Sequence, residues 1–164
     1  MIANNYFLGN ISYEKLSQDD GKQRKVSEQY LIDAISFSEA ENRLIKEMEP
    51  YIQGEFKVLT LTRYNVSEIV PANWSINEVD AEAKKLSGQN NYASADLMWF
   101  KCKINYIMVN DKGAQKKVPA FVLIEASSVN AANDTLVEYM HGSMADWVVE
   151  KIEETKILEI FNIK

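Results

Sequence analysis

A reaction needs a nucleophile beside a base, two convergent carboxylates, or a set of metal ligands. This chain supplies one histidine, His141, and one cysteine, Cys102. A zinc site wants three or four nitrogen and sulfur ligands, so these two cannot build one of the usual type. His141 stands beside Gly142, where a helix is expected to end, and an imidazolium there meets the negative end of the helix dipole. Cys102 falls on the apolar side of the alternating stretch "WFKCKINY", where a thiol serves as small core filler. Asp33 and Glu125 occupy matching places, each just before an expected helix. Brought together they would bind a divalent cation or share a proton. With no third ligand in view, the simpler role for each is electrostatic, near a helix N-terminus. The chain has neither a phosphate-cradling glycine loop nor a dinucleotide-binding glycine pattern. These residues point away from an enzyme and imply no metal and no cofactor.

Positive charge is the other concentrated chemistry. "DGKQRKVSEQYLIDAIS" and "KGAQKKVPAFVLIEASS" share a glycine, a spacer, a glutamine, two bases and a valine. Lys22, Arg24 and Lys25 cluster in the first; Lys116 and Lys117 do so in the second, with Lys112 nearby. The outer face of the preceding strand carries Tyr6 in the first stretch, and Trp99, Lys101 and Lys103 in the second. Bases that follow phosphates, interleaved with rings that stack on nucleobases, make a single-strand-binding surface. Single-stranded nucleic acid, held by paired basic hairpins, is therefore the expected partner. Lysines at a hairpin tip also serve simply to block edge-to-edge aggregation. Two other functions compete. Arg24, Lys25, Lys116 and Lys117 could grip the phosphates of a small anionic nucleotide, sequestered in a pocket between subunits of a homo-oligomer. A structural or adaptor protein with two equal docking faces would bind no nucleotide at all.

The chain has 164 residues, 46% hydrophobic and 26% charged, enough for one good core or two small lobes. Its formal net charge of -6 disfavours broad adhesion to nucleic acid or membrane, while leaving room for a local basic patch. No stretch approaches the roughly 20 apolar residues of a membrane span. The opening "MIANNYFLGN" lacks the basic and apolar regions of a signal peptide. A lone cysteine suits a reducing compartment. A cytoplasmic protein without membrane partners is expected.

The elements that would position these residues occur twice. "YFLGNISY" (6–13) aligns with "WFKCKINY" (99–106): Phe7 with Phe100, Ile11 with Ile104, Tyr13 with Tyr106. The correspondence runs on through Gly21/Gly113, Gln23/Gln115, Leu31/Leu123, Leu44/Leu136, Met48/Met140 and Phe56/Trp147 to "SEIV" (67–70) and "LEIF" (158–161). Such self-similarity reads as an internal duplication. Repeat one spans 6–70, a linker 71–96 and repeat two 97–161, within a single integrated domain, 1–164. In each repeat a period-two strand sets Phe7, Gly9, Ile11 and Tyr13, or Phe100, Cys102, Ile104 and Tyr106, toward the core. An Asp/Asn/Gly-rich turn follows. A continuous apolar strand centred on "YLIDA" or "VLIEA" comes next, either covered on both faces or bulged. Helices are expected from a cap at Ser38, with Glu41 reaching back, and from Asn130, ending at Pro50 and Gly142. Last strands are expected at 55–64 and 146–154. Each repeat is thus ββαβ in an α+β fold, with an antiparallel or mixed sheet. A right-handed crossover sets strand one between strands two and three. "SINE" (75–78) opens a short helical pattern to Leu86 in the linker, and "SGQNN" (87–91) reads as loop.

The [WY]-F-x-x-x-I-x-Y opening, the G-x-Q-[RK]-K-V turn, "YLIDAISFSEAE" and the "GEF" before the last strand resemble an uncharacterised-domain family of Bacteroidota and their phages, domain of unknown function 4494. The resemblance covers nearly the whole chain, and "DAISFSEAE" is its most specific piece. It implies a small cytosolic protein of bacterial or phage origin and assigns no catalytic residues.

Overall fold

The computed structural model describes residues 5–74 and 96–162. Ten elements run along the described chain. They are β1 (Tyr6–Leu16), β2 (Gln23–Asp33), α1 (Phe37–Met48), β3 (Phe56–Tyr64), β4 (Glu68–Val70), β5 (Met98–Val109), β6 (Gln115–Ala126), α2 (Val129–Met140), β7 (Asp146–Glu154) and β8 (Ile157–Phe161). They make an α+β fold with two mixed four-stranded sheets, ordered β3-β1-β2-β8 and β4-β6-β5-β7. Two compact units result: Met1–Asn65 with Lys156–Lys164, and Val66–Thr155. The expected linker helix to Leu86 and the "SGQNN" loop lie outside the described residues.

In the first unit β1 and β2 form a long antiparallel hairpin, from Tyr6↔Asp33 to Leu16↔Gln23. Alternation along β1 turns Phe7 and Ile11 inward, both fully buried, and Tyr13 packs at the margin of the same core. On β2, Tyr30 and Ile32 join that core. Leu31 points to the opposite face and is also fully buried, so the continuous apolar run belongs to a strand closed on both faces. Helix α1 lays Ala40, Leu44 and Met48 over the sheet. β3 pairs antiparallel with β1, which places β1 between β2 and β3, the order expected. The register slips between Asn10 and Ile11, leaving Leu59 in a bulge.

The second unit is built the same way. β5 pairs antiparallel with β6 and β7. Phe100, Cys102, Ile104, Val122 and Ile124 form the core with Ala132, Leu136 and Met140 of α2. Its bulge falls between Lys103 and Ile104 and leaves Glu150 outside the pairing.

Two expectations need correction. The helices start earlier than the capping pattern suggested. Ser36, not Ser38, caps α1, its hydroxyl accepting from Glu39 N at 3.1 Å. Glu39, not Glu41, reaches back, accepting from Ile35 N at 3.4 Å. Ser128, not Asn130, caps α2 through Ala131 N at 3.1 Å. In both cases the serine directly ends the turn out of the preceding strand, and its extended backbone is what a cap requires.

The second correction concerns strand number. Each helix-containing segment ends in a fourth strand, giving ββαββ rather than ββαβ. That strand joins the sheet of the other segment. β4 pairs parallel with β6, Glu68↔Val122 to Val70↔Ile124. β8 pairs parallel with β2. "SEIV" and "LEIF" thus take corresponding places in opposite sheets. Val70 is buried in the second core, and Ile157 is buried as well. Strands of three and five residues carry too little pattern to name the distant strand they pair with.

Candidate functional site

The two hairpin turns are fixed by side chains that imitate backbone. In the first, Asp20 accepts from Lys22 N at 3.0 Å, and Gly21 takes φ 69 to close the loop. In the second, the Asn110 side chain accepts from Lys112 N at 3.0 Å and Ala114 N at 2.8 Å. Such Asx turns are what short Asp- and Asn-rich loops form.

Lys22 and Lys112 stand in the turns, and the other basic residues lie just past them, inside strands. β2 begins at Gln23 and β6 at Gln115, so Arg24, Lys25, Lys116 and Lys117 are strand residues. Successive strand side chains point to opposite faces. Arg24 therefore shares a face with its partner Lys15, and Lys25 with Glu14. Lys116 lies beside Met108, and Lys117 beside Ile107. Each basic pair is divided between the two faces of its hairpin rather than gathered on one.

The nine candidate residues separate by environment. Lys22, Lys25, Lys116 and Lys117 are exposed, and no salt bridge among the described residues engages them. Arg24 is exposed but paired with Asp20 at 2.7 Å. The guanidinium holds the Asp20 carboxyl below its ordinary range. Lys103 is half-buried and reaches Glu150 at 3.0 Å. Glu150 also accepts from Asn105 Nδ2 at 3.0 Å, and these contacts lower its pKa. The Lys101 ammonium stands 4.6 Å from the centre of the Phe121 ring, and burial pulls its pKa down. Trp99 was expected on an outer face as a stacking ring; it is only 9% exposed. Its carbonyl accepts from Thr155 N and Oγ1 at 2.9 and 2.8 Å. Tyr6 is half-buried. The Trp99 ring is therefore largely withdrawn from solvent, whereas Tyr6 keeps part of its surface exposed. The sequence reading missed the apolar residues on the hairpin stems: Leu16, Met108, Val109 and Val118 are all exposed. Part of their signal lies in the second hairpin, where Met108 stands opposite Lys116 and Val118 directly follows Lys117.

Lys25 also borders a cleft of about 500 Å³ in the first unit, lined among others by Tyr13, Phe56, Lys57, Glu14 and Glu55. The first hairpin belongs to the first unit and the second hairpin to the second.

The residues considered for catalysis have other duties. Cys102 is fully buried, and burial pushes its thiol up to about 11. A thiol so placed is a poor nucleophile near neutral pH. His141 is the C-cap of α2, the place expected for it. Asp33 is buried at the end of β2. Glu125 accepts from Ala72 N at 3.1 Å, tying down the chain after β4. Among the described residues no three His, Cys, Asp or Glu side chains gather to hold a metal ion. Among the same residues no helix is long and apolar enough to cross a membrane.

No curated protein matches the chain. A family model does, over residues 5–163, and the chain belongs to the family that it describes, Domain of unknown function (DUF4494).

Proposed function

We propose that this is a non-catalytic binding protein whose two basic hairpins contact single-stranded nucleic acid. One observation carries this reading: Lys22 in the first turn and Lys25, Lys116 and Lys117 on the hairpin stems are all exposed, and no salt bridge among the described residues uses them. Alternation puts positive charge on both faces of each stem, which suits a flexible, polyanionic strand better than a flat rigid surface. Exposed Leu16, Met108, Val109 and Val118 beside the lysines offer apolar contact to unstacked bases. Lys101, Lys103 and Trp99 act from behind, as supports for the stem. The same proposal includes an internal duplication. Matching element orders, matching sheet orders and a bulge at corresponding places in β3 and β7 support it. Duplication would have made two basic fingers from one. A source among Bacteroidota or their phages and a cytoplasmic location complete it, on the strength of the sequence alone.

Anisotropy of a labelled single-stranded oligonucleotide, titrated at two salt concentrations, tests the function. Binding should weaken steeply with salt, with a slope near 0.7 per phosphate neutralised. Neutralising Lys22, Arg24, Lys25, Lys116 and Lys117 together should abolish binding and leave the melting temperature within a few degrees. Absence of binding at low salt sinks the proposal.

The cleft beside Lys25 favours a second reading, a sequestering protein for a small anionic nucleotide. Lys25 and Lys57 would hold phosphate, and Tyr13 and Phe56 would flank the base. Calorimetry with mono- and cyclic nucleotides separates the two: only this second reading expects binding that Lys57→Gln removes. An adaptor protein would bind neither probe.

A further inference from the structure

A different cleft in the first unit has the opposite electrostatic character. It is about 290 Å³ and is lined by Tyr13, Tyr30, Tyr51, Met48, Ile52, Glu28 and Glu159. No cationic side chain lines it, and no salt bridge among the described residues engages Glu28 or Glu159.

Glu28 is the unexpected member. It pairs with Ile11 and so shares the helix-covered, core-forming face of the sheet. A half-buried carboxylate is unfavourable there without partners. It accepts from Tyr30 Oη at 3.2 Å, and the Tyr13 phenol lines the same cleft. Two phenols leave its negative charge unneutralised. The ring of Tyr30 is fixed from behind by Phe161, stacked at 5.6 Å with 17° between planes. Tyr51 follows the end of α1 and is 77% exposed, at the mouth of the cleft. Glu159 on β8 supplies the second carboxylate. Burial and Glu28 hold both Tyr13 and Tyr30 above the ordinary phenol range.

The fold does not demand this cluster. Ile104↔Ala120 and Cys102↔Val122 of the second sheet hold the register positions of Ile11↔Glu28 and Gly9↔Tyr30. Alanine and valine serve the packing there, so glutamate and tyrosine in the first sheet are surplus to it.

We propose that the Tyr13–Tyr30–Tyr51 cleft, with Glu28 and Glu159, binds an organic cation of the quaternary or methylated ammonium class. Aromatic rings attract such a cation through their negative faces. The carboxylates add direct charge attraction in a partly desolvated site. Met48 and Ile52 give the apolar floor that an alkylated ammonium tolerates and a strongly hydrated primary ammonium does not.

The test uses the full chain, labelled with nitrogen-15, titrated with choline while backbone amide signals are followed. Its neutral carbon isostere, 3,3-dimethyl-1-butanol, is the control. Saturable shifts at Glu28, Tyr30, Tyr51 and Glu159 with choline, and at least about tenfold weaker binding of the isostere, are expected. Glu159→Gln and Tyr51→Ala, both at exposed positions, should each weaken choline several-fold with the rest of the spectrum unchanged. Glu28→Gln should do the same more strongly. Equal binding of the isostere would overturn the proposal by showing a merely apolar cleft. So would no shift by about 10 mM choline, below which a millimolar site must show. A parallel titration with Nε-trimethyl-lysine distinguishes a modified protein side chain from a free small cation as the source.

Discussion

At the residue scale, the two cores solve one packing problem with different volumes. Gly9 faces Tyr30 across the hairpin, whereas Cys102 faces the smaller Val122. A Cβ placed on Gly9 would stand 2.6 Å from Leu44 Cδ2 and 3.2 Å from Ile32 Cδ1. Gly9→Ala should therefore destabilise the first unit by about 1–3 kcal/mol through overpacking, seen as a lower urea midpoint. No change would mean that Leu44 swings aside freely. Cys102 permits a second prediction. Its thiol is raised from 9.0 to about 11 in the fold, so below about pH 9 it is neutral in both folded and unfolded chains. Between about 9 and 11 the unfolded thiol ionises and the folded one does not. Stability should fall across that window by roughly 3 kcal/mol. Cys102→Ala should lack this component and keep the alkaline loss that Tyr13 and Tyr30 contribute, both phenols being raised in the fold. At pH 8 the native thiol should resist a disulfide reagent that the unfolded chain consumes at once.

At the element scale, the helix starts are decided by local hydrogen bonds that substitution can separate. Ser36→Ala and Ser128→Ala should each cost about 1 kcal/mol, the ordinary value of a lost N-cap. Ser38→Ala and Asn130→Ala, inside the first turns, should change stability by no more than a few tenths. Chemical denaturation of the four variants checks this directly. The reversed order would move both caps back to where the capping-box pattern first suggested. The pattern misled because two serines lie two residues apart at 36 and 38, and each has a glutamate three places on. Only the extended backbone of Ser36, φ -152 and ψ 165, selects between them.

At the scale of the whole molecule, the exchanged fourth strands set which parts depend on which. β8 brings Ile157 and Phe161 to the outer edge of β2. Ending the chain after Lys156 would uncover that edge and remove the ring behind Tyr30. Amide hydrogen exchange should then show lost protection in β2 and α1, with β5, β6 and β7 retaining theirs. Equal loss in both units would mean that they unfold as one cooperative body, as a single integrated domain would. The same truncation removes Glu159 and should abolish choline binding without touching the lysines of either hairpin stem.

Sequence alone determined the elements whose signal is local. Strands at Tyr6, Met98, Phe56 and Asp146, both hairpins, both helices and the inward faces of Phe7, Ile11, Phe100, Cys102 and Ile104 followed from periodicity. Each side chain in a long element repeats the same choice between core and solvent. The basic residues were equally visible as composition. Tertiary structure decided what no local period records. It sent β4 and β8 to opposite sheets, because three to five residues carry too little pattern to name a distant partner. It divided Arg24 from Lys25 by where the strand begins, and buried Trp99, whose own strand offered polar neighbours. It also assembled Tyr13, Glu28, Tyr51 and Glu159 from β1, β2, the end of α1 and β8. Their meeting depends on long-range pairing, in which the hydrophobic gain of closing the sheet outweighs the entropy of bringing distant segments together.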